Sequence, residues 1–116
     1  MEIKSKCIEN ICRLPVEFKA NNGSSIFSLA QQSGFIINQR LITQEDIKSY
    51  LAINLSLIEN WMLYSVDKRS SGYFLKSKHI GAIDENGNIV FSKAFESDLD
   101  ACSEFILREF KSILGI

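Results

Sequence analysis

The sequence predicts an α+β domain. Helices fill its N-terminal half, and an antiparallel β-meander of about three strands is packed by a C-terminal helix. Three observations predict this. Apolar residues in the first half recur at three- and four-residue steps, the helical period. From Met62 to Phe95 the pattern turns to alternation broken by polar turns. From Leu99 onward the helical period returns. The 116 residues suit one domain spanning 1–116.

The elements follow in order. Ile3, Cys7, Ile8 and Ile11 predict a short amphipathic helix that ends before Pro15, because proline disfavours helix in the residue preceding it. Val16, Phe18 and Ala20 alternate with Glu17 and Lys19, as in a short strand, and Asn21-Asn22-Gly23 signals a turn. Ser24 or Ser25 caps a helix carrying Ile26, Phe27, Leu29 and Ala30, and Gly34 stops it. Thr43 starts the next helix. Its hydroxyl suits the amides two or three residues on, and Asp46 stands at the reciprocal position. Ile47, Leu51, Leu55 and Ile58 form an apolar stripe through that helix, with an end between Ile53 and Asn60.

Met62, Tyr64 and Val66 alternate with Leu63, Ser65 and Asp67, predicting a strand. A polar turn at 68–72 leads to a second strand at Tyr73–Lys76, which Ile80–Ile83 continues or restarts. Asn86-Gly87 signals a hairpin, since both residues tolerate positive φ, and Ile89–Phe95 returns. Ser97 with Asp100 caps the last helix, where Leu99, Cys102, Ile106, Phe110 and Ile113 form the buried stripe. Gly115 terminates that helix, of about four turns.

Composition narrows the function classes. Hydrophobic residues make up 46% and charged residues 23%, an ordinary globular mix with enough apolar side chain to offset ordering entropy. The formal charge is −1, so no global basic excess exists to hold a phosphate backbone, which speaks against nucleic acid. Three cysteines are a poor disulfide framework, and the single histidine with them cannot assemble a compact four-ligand zinc site. No run reads as a secretory signal or approaches the ~20 apolar residues of a membrane span, so the expected location is the cytoplasm. Neither a phosphate-binding glycine loop nor a dinucleotide fingerprint occurs, and no cofactor is expected.

Charge is unevenly distributed. From Val66 to Ile83, Lys68, Arg69, Lys76 and Lys78 face only Asp67, a net of +3. From Asp84 to Glu109 seven acids face Lys93 and Arg108, a net of −5. Asp84, Glu85, Glu96, Asp98 and Asp100 are therefore the candidate contacts for a basic protein partner, because an acidic surface steers such a partner and mimics a phosphate array. The bland alternative is a solvated hairpin turn and a dipole-favoured helix start. The basic stretch, interleaved with Tyr73 and Phe74, supports a second hypothesis: a small nucleic-acid-binding module that stacks bases on a sheet face. Core packing is the competing explanation for those aromatics. His79 and Cys102 carry a third, weaker hypothesis of a small enzyme, against which stand a surface histidine and a core thiol.

The order Trp61, Tyr64-Ser65-Val66-Asp67-Lys68-Arg69, Gly72-Tyr73-Phe74, Ile80-Gly81, Asp84, then the helix after Ser97-Asp98, covers roughly the second half of the chain. It resembles the small immunity proteins of bacterial polymorphic toxin and contact-dependent inhibition systems. The resemblance implies a cytosolic protein, not an enzyme, that binds one cognate toxin domain tightly and occludes it. Many such toxins are nucleases with basic clefts. The resemblance carries over no catalytic residues, since such proteins are inhibitors. Pairing between copies through an exposed strand edge stays open.

Overall fold

Three helix starts lie where a short polar side chain replaces a missing backbone partner. In the computed structural model, which describes residues 2–20, 25–67 and 72–116, Thr43 and Asp46 form a reciprocal capping box. The Thr43 hydroxyl accepts from the Asp46 amide at 3.1 Å, and the Asp46 carboxylate accepts from the Thr43 amide at 2.9 Å. Ser25 and Ser97 supply only the first half of such a box, their hydroxyls accepting from the amides of Ser28 and Asp100. At the other end, Gly115 adopts φ +72 and donates its amide back to the last turn.

The described residues form seven helices and three strands. The helices are α1 Glu2–Cys12, α2 Leu14–Ala20, α3 Ile26–Gln32, α4 Phe35–Asn38, α5 Gln44–Ala52, α6 Ser56–Asp67 and α7 Asp98–Leu114. The strands are β1 Gly72–Lys76, β2 His79–Ile83 and β3 Ile89–Ala94, antiparallel in the order β1-β2-β3. This is the predicted α+β class, with the C-terminal helix packed on the sheet. At 17 residues α7 is longer than expected, almost five turns.

Two predicted strands are helices. Val16, Phe18 and Ala20 belong to α2, which buries Leu14 and Pro15 and leaves Phe18 exposed. Pro15 is tolerated because it sits in the first turn, where its missing N–H has no intrahelical partner to lose. Met62, Tyr64 and Val66 belong to α6, whose buried residues Leu57, Ile58, Trp61 and Ser65 recur at three- and four-residue steps. The apparent alternation was coincidental: Val66 is 74% exposed. The stripe through Ile58 is also interrupted. Residues 53–55 separate α5 from α6, Leu55 is exposed there, and the Asn54 side chain donates to the Tyr50 carbonyl. Ile80–Ile83 restarts as a separate strand. The predicted turn residues 21–23 and 68–71, including Lys68 and Arg69, lie outside the described residues.

The two hairpins differ. Lys76 pairs with His79 across a two-residue loop in which Ser77 takes φ +54. The β2–β3 loop closes through the Gly87 amide on the Asp84 carbonyl, and only Gly87 has positive φ, not Asn86. The Asp84 carboxylate accepts from both the Asn86 and Asn88 amides at 2.9 Å, holding the loop from within.

The core lies between the inner sheet face and the helices, with α7 at its centre, touching α3, α5, α6, β1 and β2. Trp61, Phe35, Phe105 and Phe110 are its largest fully buried side chains. Trp61 lies edge-on to Tyr64 and Phe105, and its indole donates to the Cys12 carbonyl at 2.8 Å. The Tyr64 hydroxyl donates to the buried Glu109 carboxylate at 2.6 Å. Burial and the neighbouring Glu109 charge push the Tyr64 hydroxyl far above its usual range, so it stays a donor.

Candidate functional site

The sheet has one covered edge and one open edge. On the β1 side, α6 runs along the strand, and the Ser65 hydroxyl accepts the outward amide of Leu75 at 2.7 Å. On the β3 side no described strand pairs with it. The Phe95 amide donates to the Lys78 carbonyl at 2.8 Å, which sets the parity of the ladder. Phe91 and Lys93 spend their backbone groups on β2, while Ser92 and Ala94 turn theirs outward. Ile89 and Val90 are each 65% exposed at the start of this strand.

Register divides the side chains between faces. Leu75, Ile80, Tyr73, Ala82, Phe91 and Lys93 face α7. Phe74, Lys76, His79, Gly81 and Ser92 face away from it. Tyr73 and Phe74 therefore lie on opposite faces and do not share a stacking platform. The Phe74 ring rests on Gly81, so closely that a Cβ on Gly81 would fall 2.1 Å from its Cζ. The ring is committed to covering the sheet backbone. Lys76 shares its face, and Lys78 is in the tight turn.

Beneath β3 is an open groove of about 600 Å³ between the inner sheet face and α7. Arg108 stands over the Phe91 ring at 4.5 Å and the Tyr73 ring at 5.6 Å. Glu104 bridges Arg108 at 2.8 Å and Lys93 at 2.9 Å, and Lys111 adds a further cation. Among its side chains the groove wall thus carries three cations and one carboxylate.

The five acidic residues predicted as one contact surface divide into two groups. Asp84 and Glu85 stand before β3, and Glu96, Asp98 and Asp100 follow it. The strand between them spans about 17 Å at ~3.3 Å per residue. Three of the five are engaged internally: Asp84 on its own loop amides, Asp98 by the Ser77 hydroxyl at 3.3 Å, and Asp100 by Lys48 at 2.6 Å. Glu85 and Glu96 are exposed and form no ion pair among the described residues. Sequence reasoning allows for an exposed strand edge without assigning it to β3, and it does not reveal the groove. One signal was available: Ile89, Val90 and Phe91 are consecutive apolar residues, more than a strand with one covered face can bury.

The enzymatic candidates do not meet. His79 hydrogen-bonds Ser92 at 2.6 Å on the outer sheet face. Cys102 is fully buried in α7, and burial raises its thiol pKa, as it pushes Cys12 up to about 12. A protonated, inaccessible thiol is a poor nucleophile. Among the described residues no group of His, Cys, Asp and Glu is arranged to hold a metal ion, and no helix is long and apolar enough to cross a membrane. Comparison with protein-family models, with curated proteins and with solved structures found no match.

Three carboxylates, Asp46 at the start of α5 and Asp100 and Glu104 on α7, make stability depend on pH. The Thr43 amide holds Asp46 below the usual carboxylate range, and Lys48 does the same for Asp100. Burial works against Glu104, but Lys93 and Arg108 together outweigh it and lower its pKa as well. A depressed folded-state pKa contributes stability above the ordinary carboxylate value, and that contribution is lost as pH falls through the folded-state value. The unfolding free energy should therefore be nearly level from about pH 8 to pH 6 and decline below about pH 4. Urea titrations across that range check it; an unchanged midpoint at pH 3 would contradict it.

Proposed function

We propose that this chain is a stoichiometric protein inhibitor of the immunity type. It acts in the cytoplasm, binds a cognate toxin domain and occludes it, without catalysis of its own. The observation that carries this reading is the uncovered β3 edge, with Ile89 and Val90 exposed beside it. An unpaired strand edge with apolar neighbours is a template for another chain, and proteins that do not use such an edge usually blunt it. The resemblance in the second half of the chain supplies the kind of partner. Three free, buried cysteines fit a reducing compartment. The nucleic-acid alternative loses support, because Tyr73 faces α7 while Phe74 covers Gly81.

A nuclease toxin with a basic surface suits the two exposed acids at the ends of β3. Glu85 and Glu96 then steer encounter, while Asp84, Asp98 and Asp100 maintain the local structure. Co-expression with the C-terminal domain encoded by the neighbouring upstream gene tests the reading. This chain should restore growth to cells producing that domain. The Glu85→Lys/Glu96→Lys variant should associate several-fold more slowly at low salt, with less change at high salt. Equal killing with and without this chain, both proteins being folded, would remove the inhibitor reading.

A further inference from the structure

The β3 edge and the groove beneath it form one surface. Backbone groups of Ser92 and Ala94 point outward along the strand, so an added strand would hydrogen-bond there. Alternate side chains of that added strand would point to the α7 side, into the groove. That side carries Lys93, Arg108 and Lys111 against Glu104. Glu104 already bridges Lys93 and Arg108, so the surplus charge is positive. Lys93 and Arg108 are held in place, Lys93 near the Phe95 ring and Arg108 over Phe91 and Tyr73. A bulge at Val90 breaks the β2–β3 register near the start of the strand, so the regular stretch of open edge is residues 91–94. That stretch has no proline, and its single lysine turns inward to Glu104.

From this we infer that β3 accepts an extended segment of a partner protein as a fourth strand, with carboxylate side chains of that segment seated against Lys93, Arg108 and Lys111. The inference rests on the protein-binding reading above and adds a second contact to it: the partner's basic surface meets Glu85 and Glu96 at the strand ends, and one acidic segment of the partner lies along β3 between them. Charge selects the occupant. Two copies joined antiparallel at β3 would bring both groove walls to the same side of one sheet and set their cations against each other. An acidic strand neutralises the same groups. The backbone ladder supplies affinity and the groove supplies the preference for acid at alternate positions.

A peptide-display selection on the full chain tests this. The library consists of ten-residue peptides with valine or threonine at alternate positions and Asp, Glu, Lys, Arg or Ser between them. Asp and Glu should be enriched at least tenfold over Lys and Arg at the intervening positions. Addition of the selected peptide should shift the Ser92 and Ala94 amide resonances more than those of Phe91 and Lys93. Ser92→Pro, which removes an outward N–H and leaves the β2 ladder its donors, should weaken binding at least tenfold. Lys111→Glu should do the same, while Ile37→Ser on α4 should leave affinity within twofold. No enrichment, enrichment of basic peptides, or binding with no response at Ser92 and Ala94 would overturn the inference. The amide shifts decide the matter even if Ser92→Pro does not fold. The selection uses no toxin, so its failure leaves the inhibitor reading to its own test.

Discussion

Trp61→Ala should lower the unfolding free energy by about 3–5 kcal/mol, the range for removing a fully buried large aromatic. Trp61 is 0% exposed and lies among Tyr64, Phe105 and Phe110. Its indole also ties α6 to the end of α1 through the Cys12 carbonyl, 49 residues earlier in the chain. The loss is large against the roughly 5–15 kcal/mol total of a domain. Trp61→Phe should cost less, because it keeps most of the ring volume and loses only the N–H donor to Cys12. Urea unfolding of the three proteins separates packing from hydrogen bonding, provided the slope stays constant. A Trp61→Ala midpoint close to that of the parent would contradict the assigned core.

Ser65→Ala should cost about 1–3 kcal/mol, more than a hydroxyl deletion on a helix surface. The buried Ser65 hydroxyl is the acceptor for the Leu75 amide on the covered edge of the sheet. Removing it leaves a backbone donor facing α6 without its partner. The effect should be local as well as global: the Leu75 amide should exchange with solvent faster than its β1 neighbours. Ser65→Thr, which retains the hydroxyl, should exchange more slowly than Ser65→Ala. An unchanged Leu75 exchange rate in Ser65→Ala would show that α6 does not cap this edge.

These two residues also show where the sequence was legible. Features encoded within a few residues were read correctly: the Thr43–Asp46 capping box, the Ser97 cap, the Gly115 stop and the long apolar stripe of α7. In each, the deciding interactions lie within one or two helical turns. Met62 to Asp67 satisfied two periods at once, and only the buried set containing Trp61 and Ser65 shows that the helical one prevailed. Val16 to Ala20 was misread for a related reason. Its alternation is real in the sequence but does not correspond to faces, since Phe18 and Ala20 are both exposed.

The candidate site was legible only in part. Charge asymmetry was visible, but the partition of acids between the two ends of β3 depends on strand register. Lys48 pairs with Asp100 from a helix more than fifty residues away in the chain. Which edge of the sheet is covered depends on the placement of α6, whose second half, residues 62–67, also fits a strand period. The groove needs both β3 and α7, and Arg108 meets Phe91 and Tyr73 only once the sheet is assembled. Non-local contacts of this kind leave little mark on a single sequence.

The central claim is that this chain binds a protein partner through the open edge of its sheet. Its most direct test is calorimetric titration into the C-terminal domain encoded by the neighbouring upstream gene, at low and high salt, with the parent and with Ser92→Pro. The account predicts one-to-one binding at nanomolar affinity or tighter, weaker in high salt, and weaker by at least tenfold in the folded variant. No binding between the two folded proteins, or equal affinity for parent and variant, would contradict it.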